Sequence, residues 1–126
     1  MKLVALRGED PPDDTVVVIR AGENGLSAET LRRAAAGAHR EFGFYGVSVF
    51  LALDVGVAEL CASTDYLRRY SKIQESTAGR VRAAGFALLA TEARPHFDIV
   101  LPDLDDQALD RLRSCFGALR PNPGRS

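Results

Sequence analysis

The chain has 126 residues, 46% of them apolar and 26% charged, the balance of one soluble domain able to bury a core without disulfide or metal staples. Sixteen basic side chains meet seventeen acidic ones, so net charge selects neither a nucleic acid nor a membrane as partner. No apolar run reaches the ~18 residues of a membrane span, and the first residues lack a basic, apolar leader, so the expected setting is cytoplasmic.

Residues 3–7, "LVALR", read as a short edge or interface strand, and "GEDPPDD" breaks it because Pro11 lacks a donor and restricts its neighbour. "TVVVIR" is the first clear strand, β-branched and nearly continuous, ending at the turn "AGENG". A helix follows. Ser27 can cap it, Leu26 and Leu31 can staple its first turn, and Leu31, Ala35, Ala38 and Phe42 form its apolar stripe up to Gly43.

"YGVSVFLAL" is the second strong strand, followed by a short helix or turn in "GVAELCAS" and another helical turn in "TDYLRRY". "SKIQES" is open between strand and loop, and "TAGRVRAAG" reads as a short helix closed by Gly85. "FALLA" and "HFDIVL" are two strands joined by "TEARP" in a hairpin-like return. In the second of them His96 and Asp98 share one side, while Phe97, Ile99 and Leu101 share the other.

"PDLDDQALDRLRSCFG" is the last helix. Asp103 is its expected cap, and Leu109, Leu112 and Phe116 its inner face. The expected fold is α+β over residues 1–117: four or five mostly antiparallel strands with helices packed on one face. Residues 118–126 are expected as a flexible tail.

Cys61 and Cys115 are isolated in apolar surroundings and expected as reduced thiols. With only two histidines their spacing makes no zinc signature, and no metal or other cofactor is expected. "RAGENG" has neither the lysine end of a phosphate-binding loop nor dinucleotide glycine spacing.

The candidates for chemistry are few. His96 is a polar residue in an apolar strand, suited to general acid or base work, with Asp98 placed to orient its ring. His39 lies near the end of the first long helix, where the helix terminus favours its protonated form. Together they could act on the 2′-hydroxyl and 5′-oxygen of RNA. Arg68, Arg69, Lys72, Arg80 and Arg82 are opposed between residues 68 and 82 by Glu75 alone, and could face phosphates with Tyr66 or Tyr70 stacked on a base. Asp103, Asp105, Asp106 and Asp110 give the other end an acidic character. Arg20 ends a buried-looking strand just before a glycine-rich turn, where a guanidinium can hold a phosphate bidentately.

The small size, the α+β order, the scattered His, Arg, Lys and Tyr residues and the late strand "PHFDIVL" together resemble, over residues 16–117, compact RNA-cleaving toxins of bacterial toxin–antitoxin pairs. The arginine- and alanine-rich wording also resembles that of high-GC, actinobacterial chains. This resemblance implies metal-independent RNA cleavage, neutralised by an antitoxin covering the basic face. It implies His96 as acid or base with His39 as counterpart, Arg20 and Lys72 as phosphate holders, and Tyr70 orienting a base or hydroxyl.

Separately, Arg20, Ser48 and Glu59, with Tyr45 in reach, are weakly similar to the arginine–serine–glutamate order of NAD-dependent ADP-ribosyltransferases. Glu59 departs from that pattern by lacking a nearby second acidic or glutamine residue. The spacing of Arg33 and His39 loosely resembles a motif of all-helical HEPN ribonucleases, against which the two strong strands argue. The other class of function is a noncatalytic protein-binding or regulatory subunit, with self-association open.

Overall fold

The structure, a computed structural model, describes residues 3–125. Its elements are β1 (Val16–Ala21), α1 (Ala28–Phe42), β2 (Tyr45–Leu51), α2 (Val57–Ser63), α3 (Asp65–Arg68) and β3 (Lys72–Thr77). They are followed by α4 (Ala78–Ala83), β4 (Ala87–Ala90), β5 (His96–Leu101), α5 (Asp106–Ser114) and β6 (Arg120–Pro121). The strands form one sheet in the order β4-β5-β2-β1-β3-β6, and each neighbouring pair is antiparallel.

Strand alternation sorts the side chains onto two faces. Val17 and Ile19 of β1, Val47, Val49 and Leu51 of β2, and Phe97, Ile99 and Leu101 of β5 point to one of them. There α1 brings Leu31 and Ala35, α4 brings Val81, and α5 brings Leu109 and Leu112. Each fully buried Leu contributes about 1.5–3 kcal/mol. This is the expected α+β fold, a mostly antiparallel sheet with helices packed on one face, but with six strands where four or five were expected, because the tail adds β6 beside β3. The short helices α2 and α3 add Leu60, Cys61 and Leu67 against Val18, Phe50 and Ile73, covering part of the second face.

Helix termini follow local chemistry. Ser27 caps α1 by accepting from Thr30 N, and Gly43 ends it at φ 91°, a left-handed conformation that costs glycine little. For α5 the expected cap was Asp103. Asp105 takes that role, accepting from Ala108 N, while the Asp103 carboxylate is used two residues along to accept from Asp105 N. "SKIQES" resolves as strand β3, since Ile73 is needed in the second core while β1 pairs along its whole length.

The segment expected to fray is in part tied down. Arg120 and Pro121 pair with β3, and the buried Asn122 donates from Nδ2 to the carbonyls of Leu67 and Tyr70 at 2.8 Å each. The tail thereby closes the end of α3. At the other end, residues 5–7 join the β4 side, Arg7 N donating to Ala90 O and Glu92 N to Ala5 O, with a bridge at Leu6 and Thr91. Both cysteines are buried and free.

One irregularity positions the site. β1 and β2 pair only at Val17 with Leu51 and Val18 with Phe50. The fifteen-residue α1 leaves the end of β1 and returns to the start of β2, and antiparallel pairing puts both at one end of the sheet. A helix about 22 Å long must therefore cross that end. The strands part over it and leave a gap.

Candidate functional site

The gap is a cleft of about 430 Å³. Its floor comes from α1, whose Leu31, Ala34 and Ala38 reach it, and its walls from Ile19 of β1 and Val47 of β2. The rim is polar and lies on the second face of the sheet: Arg20, Ser48, Tyr66, Glu92, His96 and Asp98.

Ser48 sits opposite Asp98 and Phe50 opposite His96 in the β2–β5 register, so Ser48 and His96 are diagonal neighbours on one face. His96 Nε2 is 3.1 Å from Ser48 Oγ. Its Nδ1 lies 2.9 Å from Thr91 Oγ1 and 3.2 Å from the Thr91 carbonyl oxygen. Thr91 Oγ1 donates in turn to Asp98 Oδ2 at 2.7 Å.

These bonds fix the tautomer of the neutral ring. A carbonyl oxygen can only accept, and the Thr91 hydroxyl proton is committed to Asp98, so Nδ1 carries hydrogen. Nε2 is then left with a lone pair aimed at the Ser48 hydroxyl. Thr91 is fully buried and Asp98 is 7% exposed, whereas Ser48 is exposed to the cleft. Burial pushes the Asp98 carboxyl up, opposed by the Thr91 hydrogen bond and the nearby His96. Asp98 therefore does orient the ring, through Thr91.

Gly46 makes room for this arrangement. A Cβ there would stand 2.7 Å from the Phe44 ring and 3.1 Å from Asp98 Oδ1. The turn that carries Thr91 is held by Arg7, whose Nη1 donates to the carbonyls of Thr91, Glu92 and His96 at 2.7, 2.8 and 2.9 Å. Glu92 lies at φ 55°, a costly conformation for a residue with a Cβ, and this clamp helps hold it there.

Beside this chain runs an aromatic row. Phe50 meets His96 edge-on at 5.3 Å between centroids, Tyr66 at 5.5 Å follows it, and Tyr70 stands 5.6 Å from Tyr66. Arg20 lies against both tyrosines, 5.1 Å over the Tyr70 ring and donating from Nε to the Tyr66 hydroxyl at 2.7 Å. Among the described residues it has no carboxylate partner. Burial pushes the Tyr70 hydroxyl up, so Tyr70 stays neutral through ordinary pH.

The other candidates disperse. His39 is exposed and stacks on Tyr45 at 4.4 Å, and Tyr45 packs on the α1 side of the sheet. Tyr45 pairs with Leu101, five positions along β5 from His96, about 17 Å at roughly 3.4 Å per residue. The histidines thus lie on opposite faces, and His39 is not the counterpart of His96. The strand period moves Tyr45 away from Ser48.

The basic cluster does not form one surface either. Arg68 is paired with Asp65, and Arg82 with Asp10 and Asp13. Lys72 alternates with the inward Ile73 and points to the α1 side, where Arg80 on α4 also lies. Only Arg69 stays near the row, acting on Tyr70 through its charge. Of the NAD set, Arg20 and Ser48 meet at the cleft, while Glu59 lines a separate groove with Asp54 and Arg94.

Thr91 and Arg7 had no signal in the sequence. A threonine in a turn and an arginine in a short edge segment are ordinary, and only the hairpin return brings them to His96. Among the described residues, no group of three or more His, Cys, Asp or Glu is placed to hold a metal ion, and no helix is long and apolar enough to cross a membrane. No family model matches the chain, and no curated protein or solved structure does.

Proposed function

We propose that the chain is a metal-independent RNA-cleaving enzyme in which His96 is the general base and Arg20 holds the scissile phosphate. The observation that carries this reading is the placement of His96, with Nδ1 on the Thr91 hydroxyl and carbonyl and Nε2 facing an open cleft beside a guanidinium that has no carboxylate partner among the described residues. Nε2 takes the proton of the ribose 2′-hydroxyl, whose oxygen attacks phosphorus as the bond to the 5′-oxygen breaks. The products are a 2′,3′-cyclic phosphate and a 5′-hydroxyl. Ser48 Oγ marks the place from which a hydroxyl gives its proton to Nε2.

Arg20 neutralises charge on the phosphate through its terminal nitrogens, since Nε is used by Tyr66. The Tyr66 hydroxyl, whose oxygen accepts from Arg20, keeps its own proton for the departing 5′-oxygen. Tyr70 and Tyr66 offer ring faces to a base. With the other basic residues dispersed, this reading rests on one phosphate contact rather than a long electrostatic track.

Purified protein and labelled total RNA in EDTA test it. Wild type is expected to cleave, and His96→Ala to lose cleavage by about 10²-fold or more while remaining folded by circular dichroism. Equal cleavage by the variant removes His96 from the mechanism.

A second reading is favoured by one observation. Leu3 is 98% and Leu6 62% exposed on the edge segment, apolar surface of the kind a protein partner covers. In that reading the chain is a noncatalytic binding subunit, and a folded wild type without cleavage supports it. An antitoxin-like partner of the enzyme would use the same edge.

A further inference from the structure

We propose that Ser48 is a covalent nucleophile, giving the cleft a second chemistry: hydrolysis of small carboxylic esters through an acyl–Ser48 intermediate. The inference rests on the reading of His96 as a base. It adds that the hydroxyl already at Nε2 is itself activated.

Three observations converge on Ser48. Its Oγ lies 3.1 Å from a ring nitrogen whose lone pair is fixed by the Thr91 and Asp98 bonds behind it. Its side chain is exposed to the cleft, so an electrophile can reach it. Its peptide group points into the gap. Ala52 N donates to Val16 O, so by two-residue alternation the peptide groups of Phe50, Ser48 and Gly46 also face β1. The β1 ladder stops at Phe50, and the next such group belongs to Ser48. A nucleophile's own N–H beside an empty ladder position is where the oxyanion of a tetrahedral adduct can be held.

The steps balance. Ser48 Oγ gives its proton to His96 Nε2 as the Oγ–carbon bond forms. The ester carbon–oxygen bond then breaks, and the leaving alkoxide takes the proton from Nε2. Water attacks the acyl–serine ester, giving a proton to Nε2, which returns it to Ser48 Oγ as the carboxylic acid departs. Leu31, Ala34, Ala38 and Val47 supply an apolar floor for the acyl chain. Thr91 and Asp98 are positioning residues, since they act through the ring.

The whole chain is treated with a fluorophosphonate, which phosphonylates an activated serine and stops there, and read by intact mass and peptide mapping. Turnover of p-nitrophenyl butyrate is followed in parallel. The expected result is one adduct, on Ser48, blocked in Ser48→Ala and slowed about 10²-fold or more in His96→Ala. Ester turnover should fall with it.

No adduct, an adduct on another residue, or Ser48 labelling at the same rate in His96→Ala overturns the inference. The RNA assay separates this from the reading beneath it. RNA cleavage without a Ser48 adduct overturns the covalent step alone and leaves the base. A His96-dependent adduct without RNA cleavage upholds the nucleophile and removes RNA as the substrate. Neither activity overturns both.

Discussion

Arg7 Nη1 donates to the carbonyl of His96 at 2.9 Å across 89 residues of sequence, and the same nitrogen holds the carbonyls of Thr91 and Glu92. The segment before the first strand is therefore part of the site. Arg7 also lies 4.9 Å over the Phe97 ring and pairs with Glu9, so its plane is fixed from three sides.

A lysine cannot reproduce this set of contacts, because an ammonium has neither the Nε that meets Glu9 nor the planar face that lies over Phe97. Arg7→Lys should lose the Glu9 bond and the contact over Phe97 and weaken the hold on the three carbonyls, costing about 1–3 kcal/mol in chemical denaturation. The specific expectation is a looser 91–96 turn. Nitrogen-15 spectra of the His96 ring should move from one neutral tautomer toward a mixture. An unchanged ring spectrum would make Arg7 a residue of stability alone.

Thr91→Val keeps shape and removes the hydroxyl between Asp98 and His96. Nδ1 retains the Thr91-position carbonyl at 3.2 Å, so the ring is weakened in its hold and not released. Asp98 loses its donor while buried, at about 1–3 kcal/mol. Cleavage should fall roughly tenfold in kcat with KM unchanged, the sign of a group acting on the base rather than on substrate. A rise in KM alone would put Thr91 in substrate binding.

Two carboxylates give opposite pH signatures. The Arg94 hydrogen bond, with help from Arg7, holds Glu9 below its ordinary value. The native state then binds fewer protons than the unfolded state. Glu9 therefore stabilises above its unfolded pKa near 4.3, and that contribution is lost as pH falls through the folded value. Burial raises Asp98 instead, so the native state holds its proton longer. Its contribution declines as pH rises from about 3.9 through the raised folded value. Denaturation across pH should show Glu9→Gln weaker than wild type at pH 7 and level with it in strong acid. Asp98→Asn should lose the decline that Asp98 causes. Parallel curves for the two variants would contradict this account.

The core was legible because period-two strands and capped helices are written locally: "HFDIVL" declares which residues face inward, and Ser27 and Gly43 mark both ends of α1. His96 and Asp98 were placed on one face by the same alternation. Their link was not legible, because it runs through Thr91 across a turn whose geometry depends on Arg7. Nor could sequence reveal that β1 and β2 part after Phe50, since their patterns are those of strands that pair throughout. The basic cluster misled for a related reason. Nearness in sequence says little across β3 and α4, where alternation and a helix start send Lys72 and Arg80 to the far side.

Arg20 is the sharpest test of what the cleft holds. Most arginines of this chain have carboxylates nearby, among them Arg32, Arg33, Arg94 and Arg120. Arg20 is half-buried and is met instead by two phenol rings. Such a charge gains most from an incoming anion, because bidentate contact replaces water it has already partly lost. Arg20→Lys keeps charge and loses the fork, while Arg20→Gln loses both. RNA affinity measured by fluorescence anisotropy should fall in the order wild type, lysine, glutamine. The slope of log affinity against log salt should drop by about one only in the glutamine variant, since one phosphate contact has gone. Equal affinity in all three would place the anion elsewhere and leave Arg20 as a strut between Tyr66 and Tyr70.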